Sequence, residues 1–269
     1  VIEAFQRRGI LLILYRTKKE GNLDFADFVR EVNPEGILAA GGDGTVHECV
    51  NIMVKAQLDL PLGIIGSGTS NDFATYLEIN KDMEDYFDRI AAGTCRRMDL
   101  GRVGTEYFIN VASAGMMTSI AHEVDARLKN ALGKMAYYLK GIGELPKFHA
   151  VPLVIEADSV RYRIEAFLFV VINSAVVGSM KNVAKDVSVT DGKLDLLAIK
   201  KCNLPELMAI TADLLQGKPV SEKNGVLHLQ AKNFRIAANE HLESDLDGEA
   251  GPMLPITIET VPSAIAVYC

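Results

Sequence analysis

Cysteine is scarce and scattered. Cys49, Cys95, Cys202 and Cys269 are the only four in 269 residues, with neither the density of a secreted disulfide framework nor the paired spacing of a zinc site. A reducing cytoplasm is the expected compartment. Long apolar runs are missing too. AFLFVVINSAVVGSM (166–180), among the longest uncharged stretches, is interrupted by Asn173, Ser174 and Gly178 and is too short to span a bilayer. The chain opens on no signal peptide, so the expectation is a soluble protein whose membrane contact, if it has any, is peripheral. Positive charge is also in deficit: 28 Lys and Arg stand against 35 Asp and Glu, a formal charge of -7. That balance disfavours nucleic acid as a partner. Internal repeats and low-complexity tracts are absent, and the apolar share of 49% is that of an ordinary globular chain able to bury a core.

Two textures divide the chain. Over residues 1–97, strand-like runs alternate with helical ones: ILLILY (10–15), LDFADFVREV (23–32), GILAA (36–40), VHECVNIMVKA (46–56), PLGIIG (61–66) and DFATYLEI. This alternation predicts a doubly wound, mainly parallel α/β domain, with its ligand beyond the carboxyl ends of the strands. From 98 to 269 the period falls to two, as in VPLVIEA, VRYRIEA, KLDLLAIKK and PITIETV, which predicts a second domain of antiparallel β. Helices are expected within it at 118–142 and 204–217, the latter with Pro205 near its start and Gly217 at its end.

Both glycine-rich turns fall at strand ends. In GGDGT, Gly41, Gly42 and Gly44 permit positive φ and close approach, so consecutive backbone N–H groups and a helix N-terminus can face an anion such as a phosphate. Asp43 repels phosphate, and suits such a turn if it faces Mg²⁺ or orients water on the metal. The alternative is a plain strand-to-helix turn capped by Thr45. GSGTSND repeats the pattern with Gly66, Gly68, Thr69, Asn71 and Asp72, although Ser70 to Asp72 would cap a helix with or without a ligand. In ESDLDGEAGP, Asp245, Asp247 and Glu249 recur at spacing two. That places them on one side of an extended segment, where crowding raises the proton affinity that a general base needs; a solvated acidic loop is the other reading. TDGKLDLL (190–197) reads as a turn followed by a strand. His47, His122, His149, His228 and His241 show no metal-ligand spacing, and each reads as structural or exposed.

Taken together, GGDGTVHECVN, PLGIIGSGTSNDFA, RRMDLGRV, YFINVASAGM, DVSVTDGKLDLL and DLDGE resemble, in order and spacing, the diacylglycerol kinase catalytic-domain family, which includes sphingosine and ceramide kinases and soluble bacterial lipid kinases. GGDGT alone is shared with NAD kinases and phosphofructokinases; the combination is more specific. The resemblance implies an α/β ATP-binding domain followed by a β-sandwich domain carrying the catalytic base. By position, Thr17, Gly41, Gly42, Asp43, Gly44, Thr45, Glu48, Thr69 and Asn71 would contact nucleotide. Asp247 would take the proton from the lipid hydroxyl, with Glu249 beside it. A structural Mg²⁺ would sit on the carbonyls of Ser188 and Lys193 and the side chain of Asp191, linked through water to Asp43, Asp72 and Asp99. The resemblance also implies a first strand and an Asn-Pro and Ser-Gly turn, whereas the sequence opens at VIEAFQRRG, inside the first helix. Gly66 replaces a common Pro, His47 a common Asn, and Asn22 a usual Asp.

The implied reaction is ATP- and Mg²⁺-dependent phosphorylation of a lipid hydroxyl, foremost diacylglycerol to phosphatidic acid. Kinase action on a soluble substrate such as NAD, or a non-catalytic nucleotide-binding role, are the rivals. Contact with the bilayer is expected through 127–149, where Leu128, Leu132, Met135, Leu139 and Ile142 keep helical spacing among Arg127, Lys129, Lys134, Lys140 and Lys147; a core face is the other explanation of that stripe. A homodimer is expected from the resemblance.

Overall fold

A computed structural model describes residues 1–18, 21–115, 149–220 and 225–269. The expected helix at 118–142, His122, and nearly all of the basic apolar stretch 127–149 lie outside these residues.

The first glycine turn joins β1 (Ile37–Gly41) to α3 (Asp43–Lys55), which follows α1 (Ile2–Arg7) and α2 (Phe25–Val32). Helix α3 buries Val46, Cys49, Val50 and Met53, one stripe at helical spacing. Strand β2 (Leu62–Gly66) runs parallel to β1, in register from Ile37 opposite Leu62 to Gly41 opposite Gly66. Parallel pairing with that register brings both glycine turns out at the same end, side by side. Beyond β2 come α4 (Asp72–Tyr76), a 3₁₀ turn at 79–81 and α5 (Met83–Ala91).

The β-rich half contributes β3 (Cys95–Val103), β4 (Glu106–Phe108), β5 (Val111–Gly115), β6 (Val151–Ala157), β7 (Val160–Ile172) and β8 (Leu194–Lys200). After α6 (Leu204–Leu215) follow β9 (Val226–Ala231), β10 (Asn233–Ala238), β11 (Glu243–Leu246), β12 (Glu249–Met253) and β13 (Ile256–Tyr268). Helix α6 starts as its sequence predicts, with a reciprocal capping box between Asn203 and Glu206 and Pro205 in its first turn. Among the described residues the pairing runs β1-β2-β13-β10-β6-β7-β5-β11-β12, with β3 and β4 branching from β13 and β8 and β9 from β7. Strand β13 is the joint. Its end pairs parallel with β2 at Val267 and Leu62, its start pairs antiparallel with β10, and β3 lies along it from Val103 opposite Ile258 to Cys95 opposite Tyr268. The architecture is thus α/β plus antiparallel β, with a core for each half. Val50, Ile64, Phe73, Tyr86 and Val267 centre one; Ile155, Phe169, Leu196, Phe234 and Ile258 centre the other.

Two expectations need correction. ILLILY forms no strand: Ile10 and Leu12 rest against the first core while Leu11, Ile13 and Leu14 face outward, and no ladder partner exists for them among the described residues. An apolar run alone does not make a strand; backbone groups need an edge to pair with. The acidic triplet is not extended either. Asp247 and Gly248, at φ 54° and 96°, form the turn between β11 and β12, the Asp-Gly signal for a tight hairpin. The turn reverses the chain between Asp245 and Glu249 and rotates Asp247 inward, so the three carboxylates do not share a side.

Candidate active site

The two glycine turns meet backbone to backbone. A Cβ on Gly68 would lie 2.5 Å from the Cα of Gly42, and one on Gly41 would run into the side chain of Thr45. Glycine is required here for close approach, since none of these three residues has positive φ. Asn71 braces the second turn, accepting from Gly68 N–H at 2.8 Å and donating to Gly68 O at 2.8 Å. Asp43 then ties the turns together: its two carboxylate oxygens accept the N–H groups of Asn71 and Asp72, each at 2.8 Å. Half-buried, Asp43 has a pKa raised above the ordinary carboxylate value. Desolvation is the main cause, with the charge of Asp247 adding to it, against the two amide bonds that favour the anion.

Asp72 and Asp99 have similar duties across the molecule. Asp72 accepts from Gly178 N–H at 2.6 Å and Ser179 N–H at 2.8 Å, joining the second turn to the loop after β7. Asp99, 1% exposed, accepts from Gly192 N–H and Ser263 N–H, both at 2.7 Å, and so clasps the 188–193 turn and the bulge of β13. Asp191 lies exposed on that turn, accepting from Lys193 N–H at 3.0 Å and Gln230 Nε2 at 3.2 Å. No cluster of three or more His, Cys, Asp or Glu side chains able to hold a metal is found among the described residues. One exposed carboxylate and neighbouring carbonyls on this turn are the hard oxygen donors that Mg²⁺ takes, so a cation there would depend on backbone oxygens more than on side chains.

Asp247 comes to the first half from the hairpin turn. Its side chain is 2% exposed. One oxygen accepts from Asn110 N–H at 3.0 Å and Val111 N–H at 2.8 Å, the other from Ile109 N–H at 2.8 Å. That second oxygen also faces His47 Nδ1 on α3 at 3.1 Å. Beside it, Glu249 reaches the first turn of α3, where a Cβ on Gly44 would come within 3.0 Å of its Oε1. Asp247 and Glu249 are therefore brought to the GGDGT helix from 200 residues away. Glu48, one step on from His47, accepts both its hydrogen bonds from the Nδ2 of buried Asn22, at 2.9 Å each; an Asp at that position would set two carboxylates face to face. Thr69 and Thr17 are exposed, and Ser188 and Lys193 are half-buried on their turn.

His47, marked in the sequence by replacing a common Asn and by its position one turn inside a phosphate-type helix, is the side chain on α3 that faces Asp247. Asn51, unflagged by the sequence, contacts its other ring nitrogen.

The comparisons place this geometry in a class. Residues 1–103 match the diacylglycerol kinase catalytic domain, and residues 110–269 match the YegS C-terminal NAD kinase beta sandwich-like domain. That pairing, with a carboxylate from the β half set on the glycine-turn helix of the α/β half, defines a lipid kinase, a phosphotransferase with an alcohol group as acceptor. Diacylglycerol kinase from Bacillus subtilis (strain 168) is 37% identical over 81% of this chain and 72% of its own length. Diacylglycerol kinase from Staphylococcus haemolyticus (strain JCSC1435) is 33% identical over 95% of this chain and 77% of its own. A crystal structure of a candidate diacylglycerol kinase from Bacillus anthracis str. Sterne superposes with a TM-score of 0.82 at 27% identity, covering 100% of this chain and 87% of that one. The chain belongs to the diacylglycerol kinase family.

Proposed function

We propose that the protein transfers the γ-phosphoryl group of ATP to the free hydroxyl of diacylglycerol, yielding phosphatidic acid and ADP. The observation that carries this reading is the delivery of Asp247 and Glu249 to the N-terminal turns of α3. The N-terminus of this 13-residue helix carries no side-chain cap, and its positive dipole favours polyphosphate there. The contact between Gly42 and Gly68 leaves no side chain in the way. As the lipid oxygen bonds to γ-phosphorus, the bond from γ-phosphorus to the bridging oxygen breaks, ADP leaves, and the hydroxyl proton passes to Asp247 and then to solvent. Accepting that proton requires Asp247 to exchange one of its present donors for the substrate hydroxyl, an adjustment that belongs to the substrate complex.

Mg²⁺ would be held by the carbonyls of Ser188 and Lys193 and the carboxylate of Asp191; bound there, it would supply positive charge that steadies the acidic straps Asp43, Asp72 and Asp99. Nucleotide would lie along Gly41–Thr45, Glu48, Thr69, Asn71 and Thr17. The lipid would be met at the surface of a bilayer. No helix of the described residues is long and apolar enough to cross one, which accords with docking from one side.

The test offers labelled ATP and Mg²⁺ with diacylglycerol, phosphatidylglycerol or sphingosine in mixed micelles, and NAD in solution, for wild type and Asp247→Ala. Label on diacylglycerol, reduced at least about 100-fold in the variant, is the expected result. Label on NAD or on another lipid, or undiminished transfer by the variant, overturns the assignment.

A further inference from the structure

Asp247 meets the first half of the molecule through one side chain, and that side chain can titrate. His47 lies 11% exposed on α3 with Nδ1 facing Asp247 and Nε2 at 3.3 Å from Asn51 Nδ2. The Asn51 amide cannot turn over without cost. Its Oδ1 accepts Tyr107 N–H at 2.9 Å, while Nδ2 donates to Tyr107 O at 2.8 Å and His47 O at 3.1 Å. Both Nδ2 hydrogens are thereby committed, so Nε2 can at most share the one aimed at His47 O. Nδ1 faces a carboxylate that can only accept, so in neutral His47 the proton belongs on Nδ1, which donates it to Asp247, and the lone pair on Nε2.

We infer that His47 is a positioning residue, which holds Asp247 against α3 and makes phosphoryl transfer depend on an ionisation of its own. The inference rests on the proposed role of Asp247 as proton acceptor.

The charged groups facing the ring from the elements around it are acidic. They are Asp247 in the hairpin turn, Glu249 at the start of β12 and Glu106 at the start of β4. Lys55, two turns further along α3, is already bound to Glu106 at 2.6 Å. Asp43, one turn back on the same helix, feels the charge of Asp247. Burial works against a cation here, but the bond to Asp247 and the charges of Glu249 and Glu106 outweigh it, and His47 has a pKa raised above its ordinary 6.5. Cationic His47 forms an ion pair with Asp247 and turns its Nε2–H against the Asn51 N–H₂. Paired in that way, the carboxylate is a weaker acceptor for the substrate proton. Neutral His47 still positions Asp247 but leaves its charge uncompensated, so turnover rises with pH across the histidine titration.

The experiment is the pH profile of kcat and nucleotide KM from about pH 5 to 9 for wild type and His47→Asn, which retains a donor and cannot titrate. Wild type should show an acid-side inflection above the ordinary histidine value. His47→Asn should lose that inflection, with nucleotide KM changed less than about twofold. An inflection that survives the substitution overturns the inference. A second readout is independent of turnover: nitrogen NMR of the ring in wild type and Asp247→Asn. Expected are a neutral Nδ1–H tautomer and a titration midpoint that drops in the variant; an Nε2–H tautomer or an unmoved midpoint overturns the inference. Should wild type phosphorylate no lipid, the proposed function fails, and the ring titration alone decides the assignment of His47.

Discussion

Asp247 shows how much one residue can carry. It accepts three backbone N–H groups and a histidine while standing at positive φ in a turn. Removing its carboxylate should therefore cost stability as well as catalysis. Asp247→Ala leaves three amides without an acceptor and should lower unfolding free energy by about 3 kcal/mol, read from urea titration. Stability should also follow His47. Its folded pKa lies above the unfolded value of 6.5, so its contribution is fully present below that pH and is lost as pH rises through the folded value. The urea midpoint of wild type should exceed that of His47→Asn most at acid pH, and the gap should narrow on the alkaline side. A gap that does not vary with pH would show that His47 titrates alike in both states.

At the scale of elements, the short α4 exists because other segments satisfy its ends. No side-chain cap of its own is present at Asn71; Asp43, 28 and 29 residues upstream, takes its first two amides instead. Asp43→Ala should destabilise the fold by about 1 to 2 kcal/mol, in the range of a lost cap, and amide exchange at Asn71 and Asp72 should accelerate more than at the middle of α3. Gly68→Ala should do greater local damage. Its methyl would sit inside the contact with Gly42, so the two turns must separate, and nucleotide affinity should fall by more than about tenfold. Equal affinity for nucleotide in wild type and variant would dissociate this contact from the binding site. By contrast, α6 carries its own start signal, and Asn203→Ala should cost about 1 kcal/mol without touching activity.

At the scale of the molecule, the two halves share strands and straps. Strand β13 pairs with β2 at one end and β10 at the other, β3 follows it through both cores, and Asp72 and Asp99 bind backbone from distant segments. Unfolding should be cooperative, with tyrosine fluorescence and far-ultraviolet circular dichroism tracing one transition in urea. Removing residues 265–269 takes Ile265 and Val267 from the first core, together with the pairing to β2, and should abolish that cooperative transition. A truncated chain that keeps the β-rich transition intact would show that the halves fold separately.

Much was legible because it is local. The alternation of strands and helices before residue 97, the period of two after it, the capping signals of α6 and the two glycine turns all follow from short-range sterics and periodicity, which a sequence displays directly. The family motifs likewise pointed to Asp247 and Glu249. What the sequence could not display is which distant groups satisfy one another. ILLILY has a buried strand's apolar run and finds no ladder partner among the described residues; ESDLDGE has the spacing of an extended acidic face and instead turns at Asp247-Gly248. Asp43 reads as a lone charge in a glycine turn until α4 is seen to need an acceptor. His47 lies within GGDGTVHECVN, where nothing local says that it faces a carboxylate 200 residues away. By itself the sequence determined most of the described elements and the chemistry on offer, because these are set by neighbours along the chain. Only the tertiary structure decided the partners, because each buried donor must find an acceptor in space and nothing in the local sequence says which.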